Sequence, residues 1–346
     1  MRYVLMMLAL IAMLSVPVSA MDFTAPSAPS DAQELMPAET ESFGQGLWEI
    51  LKSAVVNLTP ELATAAGTCL ALIAVVMLAS ILNGMPGSSK SVISFVSTLA
   101  LGTILLGQAN SMINLCANTI RELSDYGKLL LPVMTAALAA QGGATGAAAL
   151  YAGTAVFDTL LASLISNLLV PMSYLFLALA VANSATGEEL LKKIRDFIKW
   201  LMTWGLKIIL YVFTGYMSIT GVITGTADAA AVKAAKLTIS GVVPVVGSIL
   251  SDASEAVVLG AGVMKNAVGI YGLLAICAMC ITPFLQIGVQ FLLLKLTAAV
   301  CGVFGVKQAS GLIDDFSSGM GLLLGMTGTV TFLLLISTIC FMKGMG

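Results

Sequence analysis

The chain has 346 residues, of which 58 % are hydrophobic and only 10 % charged. Its mean hydropathy is +1.00. A soluble globular domain carries about 25 % charged residues, so this composition describes a polytopic membrane protein. A net charge of -2 and the absence of histidine leave no electrostatic footprint for nucleic acid and exclude histidine-dependent zinc and serine-triad chemistry.

The first twenty residues read as a secretory signal: Arg2, an apolar core from Tyr3 to Val16, then Pro17-Val18-Ser19-Ala20, with cleavage expected after Ala20. Residues 21–61 form an extracytoplasmic tail. Pro26, Pro29, Pro37 and a majority of acidic charges describe a segment that buries no core of its own. Its last part, Gly46 to Leu58, places Leu47, Ile50, Leu51, Ala54 and Val55 at helical spacing, which fits a helix lying on the membrane face or a docking surface.

A multi-span region follows over 62–346. Leu62 to Leu82 is long enough to cross a hydrocarbon core of about 30 Å, and the turn cluster Asn83 to Lys90 ends it. The next span, Val92 to Cys116, carries Asn110 and Asn114, with Asn118 one turn beyond. These amides share a face that should turn inward or toward an interface, unless the helix is already emerging into water there. Tyr126 to Gly143 is expected to break at Pro132, followed by spans 144–170 and 171–186. The first of these carries Asp158, which is either a functional carboxylate facing the bundle interior or a structural one bonded to Thr154 and a neighbouring helix.

Glu188 to Trp200 has an apolar face and the densest basic cluster in the chain, so it reads as an interfacial helix on the cytoplasmic side. An odd number of crossings must then precede it, which favours the Pro132 element as a crossing in its own right. Leu201 to Thr224 is a span. Gly225 to Gly262 is too polar for an ordinary span, since Asp228, Lys233, Lys236, Asp252 and Glu255 punctuate it and Pro244 breaks its apolar centre. Spans are expected at 266–282 and 283–303, the second bearing Gln286 and Gln290 on one face and Lys295 nearly opposite Gln286. An amphipathic stretch, Phe304 to Ser318, and a last span from Met320 to Met342 complete the chain.

Pro132 and Pro171 are 39 residues apart, as are Pro244 and Pro283, and the two pairs are offset by 112. This spacing suggests an internal duplication, with repeats near 91–199 and 201–312 built around two proline-broken segments. The fold class expected is therefore all-α, a polytopic helical membrane protein. The polar residues most suited to lining a path or a packing seam are Asp158, Asn110, Asn114, Pro132, Pro244, Asp252, Glu255, Gln286 and Gln290. No P-loop, nucleophile elbow or metal motif is present, and Cys277-x-x-Cys280 has no second pair, so no catalytic residue, metal or cofactor is expected. Three classes remain open: a secondary transporter, a part of a larger membrane assembly, and an intramembrane enzyme.

Particular residues carry a resemblance. Gly225-Thr226-Ala227-Asp228 through Lys236, Val243-Pro244-Val245-Val246-Gly247, Ser251-Asp252-Ala253, Leu259 and Lys265-Asn266-Ala267-Val268-Gly269 together resemble the stage III sporulation protein AE family of endospore-forming bacteria. The similarity extends more loosely from about Leu62 to the C-terminus. It implies a permease-like component, in the mother-cell membrane around the forespore, of an intercellular channel or feeding apparatus. The partners it implies are other membrane proteins of the same operon and a forespore-side protein, with the lipid bilayer around them and self-association as a further option. The family brings no catalytic residues to transfer. The segment before the first span is short for the family, which puts any partner contact there in doubt. The alternative function is a secondary transporter of a small solute or ion acting alone.

Overall fold

The computed structural model describes residues 25–37, 43–86, 89–138, 144–219 and 267–344. The signal segment, Pro244, Asp252 and Glu255 lie outside the described residues. All elements in the described residues are helical: α1 (Ser30–Gln33), α2 (Phe43–Asn57), α3 (Thr59–Asn83), α4 (Lys90–Leu138), α5 (Ala144–Leu164), α6 (Val170–Thr186), α7 (Glu189–Ile219), α8 (Ala267–Val303) and α9 (Lys307–Gly344). A single π-helical turn, Ile165–Leu169, joins α5 to α6. Six of the resulting rods are long and apolar enough to cross a membrane.

They alternate in direction, and side-chain contacts fix the order. The end of α3 meets the α8–α9 turn, where Ser80 Oγ donates to the Phe304 carbonyl at 3.0 Å. The end of α6 meets the start of α9, where Ser184 Oγ donates to the Gln308 carbonyl at 3.0 Å. At the opposite end of the bundle Phe157 of α5 stacks on Tyr216 of α7, with ring centroids 4.1 Å apart. The two hairpins, α6–α7 and α8–α9, each turn on a glycine in the left-handed region, Gly187 at φ 73° and Gly305 at φ 77°.

The organising element is α9. In its most apolar window 89 % of residues are buried inside the chain, against 28 % for α3. The cause is compositional: from Phe316 to Met342 α9 carries no charge, so no face of it needs water. Small residues let neighbours approach. A Cβ on Gly319 would lie 2.8 Å from Leu177 Cδ2, and one on Gly321 would lie 3.2 Å from the Phe291 ring. Four of its threonine hydroxyls are satisfied locally: Thr327, Thr329, Thr331 and Thr338 each donate to the carbonyl four residues back. Gly319→Val should overpack the α6–α9 contact by about 1–3 kcal/mol, lowering the melting temperature of the purified chain by several degrees.

Several expectations are corrected. Pro132 and Pro283 lie inside continuous helices. A proline removes one backbone hydrogen bond, and here packing holds the rod together: Leu130, Leu131 and Met134 around Pro132 are all 2 % exposed or less. The spans 92–116 and 126–143 are therefore one 49-residue helix up to Leu138. The spans 144–170 and 171–186 likewise form one rod. Its π turn sits just before Pro171, where the widened backbone receives a ring that would clash in a regular turn. Three long helices, not five crossings, precede Glu188. The stretch Glu188 to Trp200 is no separate interfacial helix but the start of α7, and α9 runs unbroken from Lys307.

The tail also differs from its sequence reading. Ala28, Ala32, Leu35 and Phe43 are buried in the main core, and Tyr126 Oη donates to the Pro26 carbonyl at 3.4 Å. Ile50 and Ala54 of α2 are wholly buried, because α8 takes the apolar face that was expected to rest on the membrane. Short polar segments cannot make a core alone, yet their few apolar side chains can complete one.

Candidate functional site: a polar helix face and a buried carboxylate

At the end of the bundle where α6 turns into α7, charged side chains turn toward α9. Arg195 of α7 pairs with Asp315 of α9 and with its neighbour Asp196, the latter at 2.8 Å. The Arg195 and Asp315 side chains are 13 % and 18 % exposed. Lys199 Nζ donates to Ser318 Oγ at 3.0 Å. Asn183, oriented so that its amide nitrogen donates to the Glu188 carbonyl at 3.1 Å, accepts from Arg195 Nη1 at 3.3 Å. Lys295 pairs instead with Asp314, as its phase opposite Gln286 requires.

The outer face of α4 changes character along its length. Val92, Phe95, Val96, Leu99 and Leu106 are exposed and apolar. Beyond Gly107 Asn110, Asn114, Asn118, Arg121, Asp125 and Lys128 are exposed in a single stripe at steps of three and four residues, with Ser111 and Glu122 exposed beside it and the apolar Leu129 exposed just past Lys128. The opposite face of the same stretch is core, with Ala109, Ile113, Cys116, Ile120 and Leu123 all at 1 % exposure or less. The asparagines thus lie on the outer face of the bundle, so of the orientations that their spacing left open the inward one does not hold, and the helix does not end at them. Tyr174 Oη of α6 donates to Asn110 Oδ1 at 3.0 Å and to Asn114 Oδ1 at 3.4 Å.

That bond fixes the level of the stripe against α5 and α6. Its lower end is beside Tyr174, while Lys128 at its upper end lines the same cavity as Asp158. Between those levels α5 and the π turn expose Leu160, Leu164 and Leu168 at 53, 39 and 51 %. Polar and apolar outer faces therefore stand side by side at one depth.

The cavity, about 140 Å³, lies where α4, α5 and α9 meet. Leu123, Gly127, Leu131, Ala155, Ala162, Val330, Leu333 and Leu334 make its apolar wall, and Ser124, Lys128, Asp158 and Thr159 its polar part. Both Asp158 carboxylate oxygens are buried without a hydrogen-bond partner among the described residues, as are Thr154 Oγ1 and Ser337 Oγ. Lys128 does not supply the missing charge, since its ammonium is bonded to Asp125 at 2.7 Å.

The named residues thus fall into separate groups. Asn110 and Asn114 share Tyr174, and Gln290, 2 % exposed, accepts from Gln108 Nε2 at 2.9 Å. Asp158 stands apart at the cavity, with Pro132 next to its lining residue Leu131, while Gln286 is half-buried. Sequence reasoning missed Tyr174, Gln108 and Ser337. Ser337 carried a faint signal as a polar residue directly after the run Leu333 to Ile336, but the carboxyl it approaches lies on another helix. Among the described residues no three His, Cys, Asp or Glu side chains group to hold a metal, and Cys277 and Cys280 are free thiols.

Comparison with known proteins bears on these features. No solved structure matches the chain. Stage III sporulation protein AE of Bacillus subtilis (strain 168) is 23 % identical over 246 residues, covering 71 % of this chain and 62 % of the relative. The chain thus aligns with less than two thirds of that relative's length. The family model for stage III sporulation protein AE matches residues 32–346, which takes in the described part of the tail from Ala32 onward, all six long helices, the polar stripe and the carboxylate cavity. This multi-pass membrane protein therefore belongs to the stage III sporulation protein AE family.

Proposed function

We propose that the chain is the permease-like membrane component of a channel or feeding apparatus between mother cell and forespore, seated in the mother-cell membrane and required for endospore formation. Family membership supports the sporulation part. The observation that carries the rest is the polar stripe from Asn110 to Lys128, exposed at the same depth as the apolar Leu160, Leu164 and Leu168. Lipid offers amides and charges no partner, so this face meets a water-filled path or the polar surface of an assembly partner. The partners proposed are the other membrane proteins of the same operon and a forespore-side protein, with the tail outside the cytoplasm and the Glu188 to Lys199 basic cluster inside.

Deleting the gene in its sporulating host should abolish heat-resistant spores, and a restored copy should return them; normal spore counts would sink the reading. On the structural side, single cysteines replacing Asn114 and Asn118 should react with a membrane-impermeant maleimide when the protein is expressed without its proposed partners. Cysteines replacing Leu164 and Leu168 should stay unlabelled. Equal silence at all four positions would remove the case for a water-facing stripe.

A further inference from the structure

We infer that the polar stripe on α4 is a self-association surface: a second copy of the chain lies against it, with the two α4 helices side by side and water held in the seam between them.

The membrane sets the geometry. Copies of one chain insert with the same orientation, so a two-fold axis relating them runs along the membrane normal and their α4 helices run parallel. Each stripe residue then stands opposite its own counterpart. A surface that meets itself in this way must be complementary to itself, which excludes most polar faces.

The asparagines satisfy that condition, because one amide both donates and accepts. Tyr174 donates to Asn110 Oδ1 and Asn114 Oδ1, which orients both side chains and leaves their amide N–H groups without a partner among the described residues. The charged part satisfies it differently. Arg121, Asp125 and Lys128 alternate in sign along the stripe, so each cation of one copy lies about one turn, roughly 5 Å, along the axis from the anion of the other. Lys128 takes only Oδ1 of Asp125, whose side chain is 71 % exposed, so that carboxylate stays open to a second cation. With Glu122 beside the stripe, its two cations are matched by two anions. A face fitted to an acidic or a basic partner would carry an excess of one sign. From Asn110 to Lys128 the stripe runs about 27 Å, close to the thickness of a hydrocarbon core, so two copies shield it from lipid over most of that depth. Hydrated amides and charges keep water in the seam, as in other polar interfaces.

The inference rests on the reading that this face does not meet lipid, and its test is separate from that of the proposed function. Single cysteines replace Asn114 and Asn118 in the full chain, expressed in membranes without the proposed partners, and a short bismaleimide is added. The wild type, whose six cysteines are buried or half-buried, is the blank. Both variants should give a cross-linked dimer on a denaturing gel, and cysteines replacing Leu164 and Leu168 should not. Adding Asp125→Lys to Asn118→Cys leaves only cations along the charged part of the stripe and should abolish the dimer. Exchanging the pair, Arg121→Asp with Asp125→Arg, should retain it, and both side chains are exposed, so the fold tolerates either change. Maleimide labelling at 114 and 118 without any dimer overturns the inference and leaves the proposed function standing, with water or another protein on the stripe. A dimer that forms through 164 and 168 instead, or one that persists unchanged with Asp125→Lys, also overturns it.

Discussion

Replacing Arg195 by methionine is expected to destabilise the purified chain by about 3–5 kcal/mol, the scale for leaving one partner of a buried ion pair alone. Arg195 joins α7 to α9 through Asp315, and both side chains are largely withdrawn from water. Its second contact, to the half-exposed Asp196, contributes little. Removing the guanidinium leaves the Asp315 carboxylate buried, with Lys199 as the remaining nearby cation, itself engaged with Ser318. The double variant Arg195→Met with Asp315→Leu should regain most of the loss, because both desolvated charges are then gone and the volume stays filled. Equilibrium unfolding in mixed micelles would measure both. Equal losses in the single and double variants would mean that the pair contributes through shape and not through charge.

A second large effect should come without any loss of fold. Changing Asn110, Asn114 and Asn118 together to leucine should reduce heat-resistant spores by orders of magnitude while the protein stays in the membrane with nearly unchanged stability. These side chains are exposed, so the structural loss is confined to the Tyr174 hydrogen bonds, about 0.5–1.5 kcal/mol each. What disappears is the polar character of the face. The corresponding serine triple variant keeps that character and should sporulate much as the wild type does. Normal spore counts from the leucine variant, with the protein present at its usual level, would show that the stripe has no part in the activity.

How far the sequence led can be judged from single residues. Helical class and membrane residence followed from hydropathy, which is a local property. Asp158 stood out because a lone charge in an apolar run is visible one residue at a time. Helix continuity at Pro132 and Pro283 was not legible, since it depends on neighbours that hold the rod straight, and the i−4 clash argument sees only the helix itself. The direction in which Asn110, Asn114 and Asn118 point was equally hidden. Spacing puts them on one face, but only the packing of Ile113, Cys116 and Ile120 against α9 decides which face that is. Tyr174 and Ser337 act on residues 60 or more positions away, a separation at which pattern carries no information.

The burial of α9 bears on how the molecule is made. A membrane chain enters the bilayer from its N-terminus as it is synthesised, at about 5–20 residues per second. The helix against which α4, α6, α7 and α8 all pack is the last of the described helices to leave the ribosome. Until it arrives, the faces formed by residues such as Leu123, Phe176 and Met202 have nothing between them, and the earlier helices can hold only provisional contacts. Assembly is then a late, nearly all-or-none event with contacts spanning more than 200 residues, such as Cys116 with Thr327. Quality-control proteases would have their longest opportunity on this chain before α9 is in place.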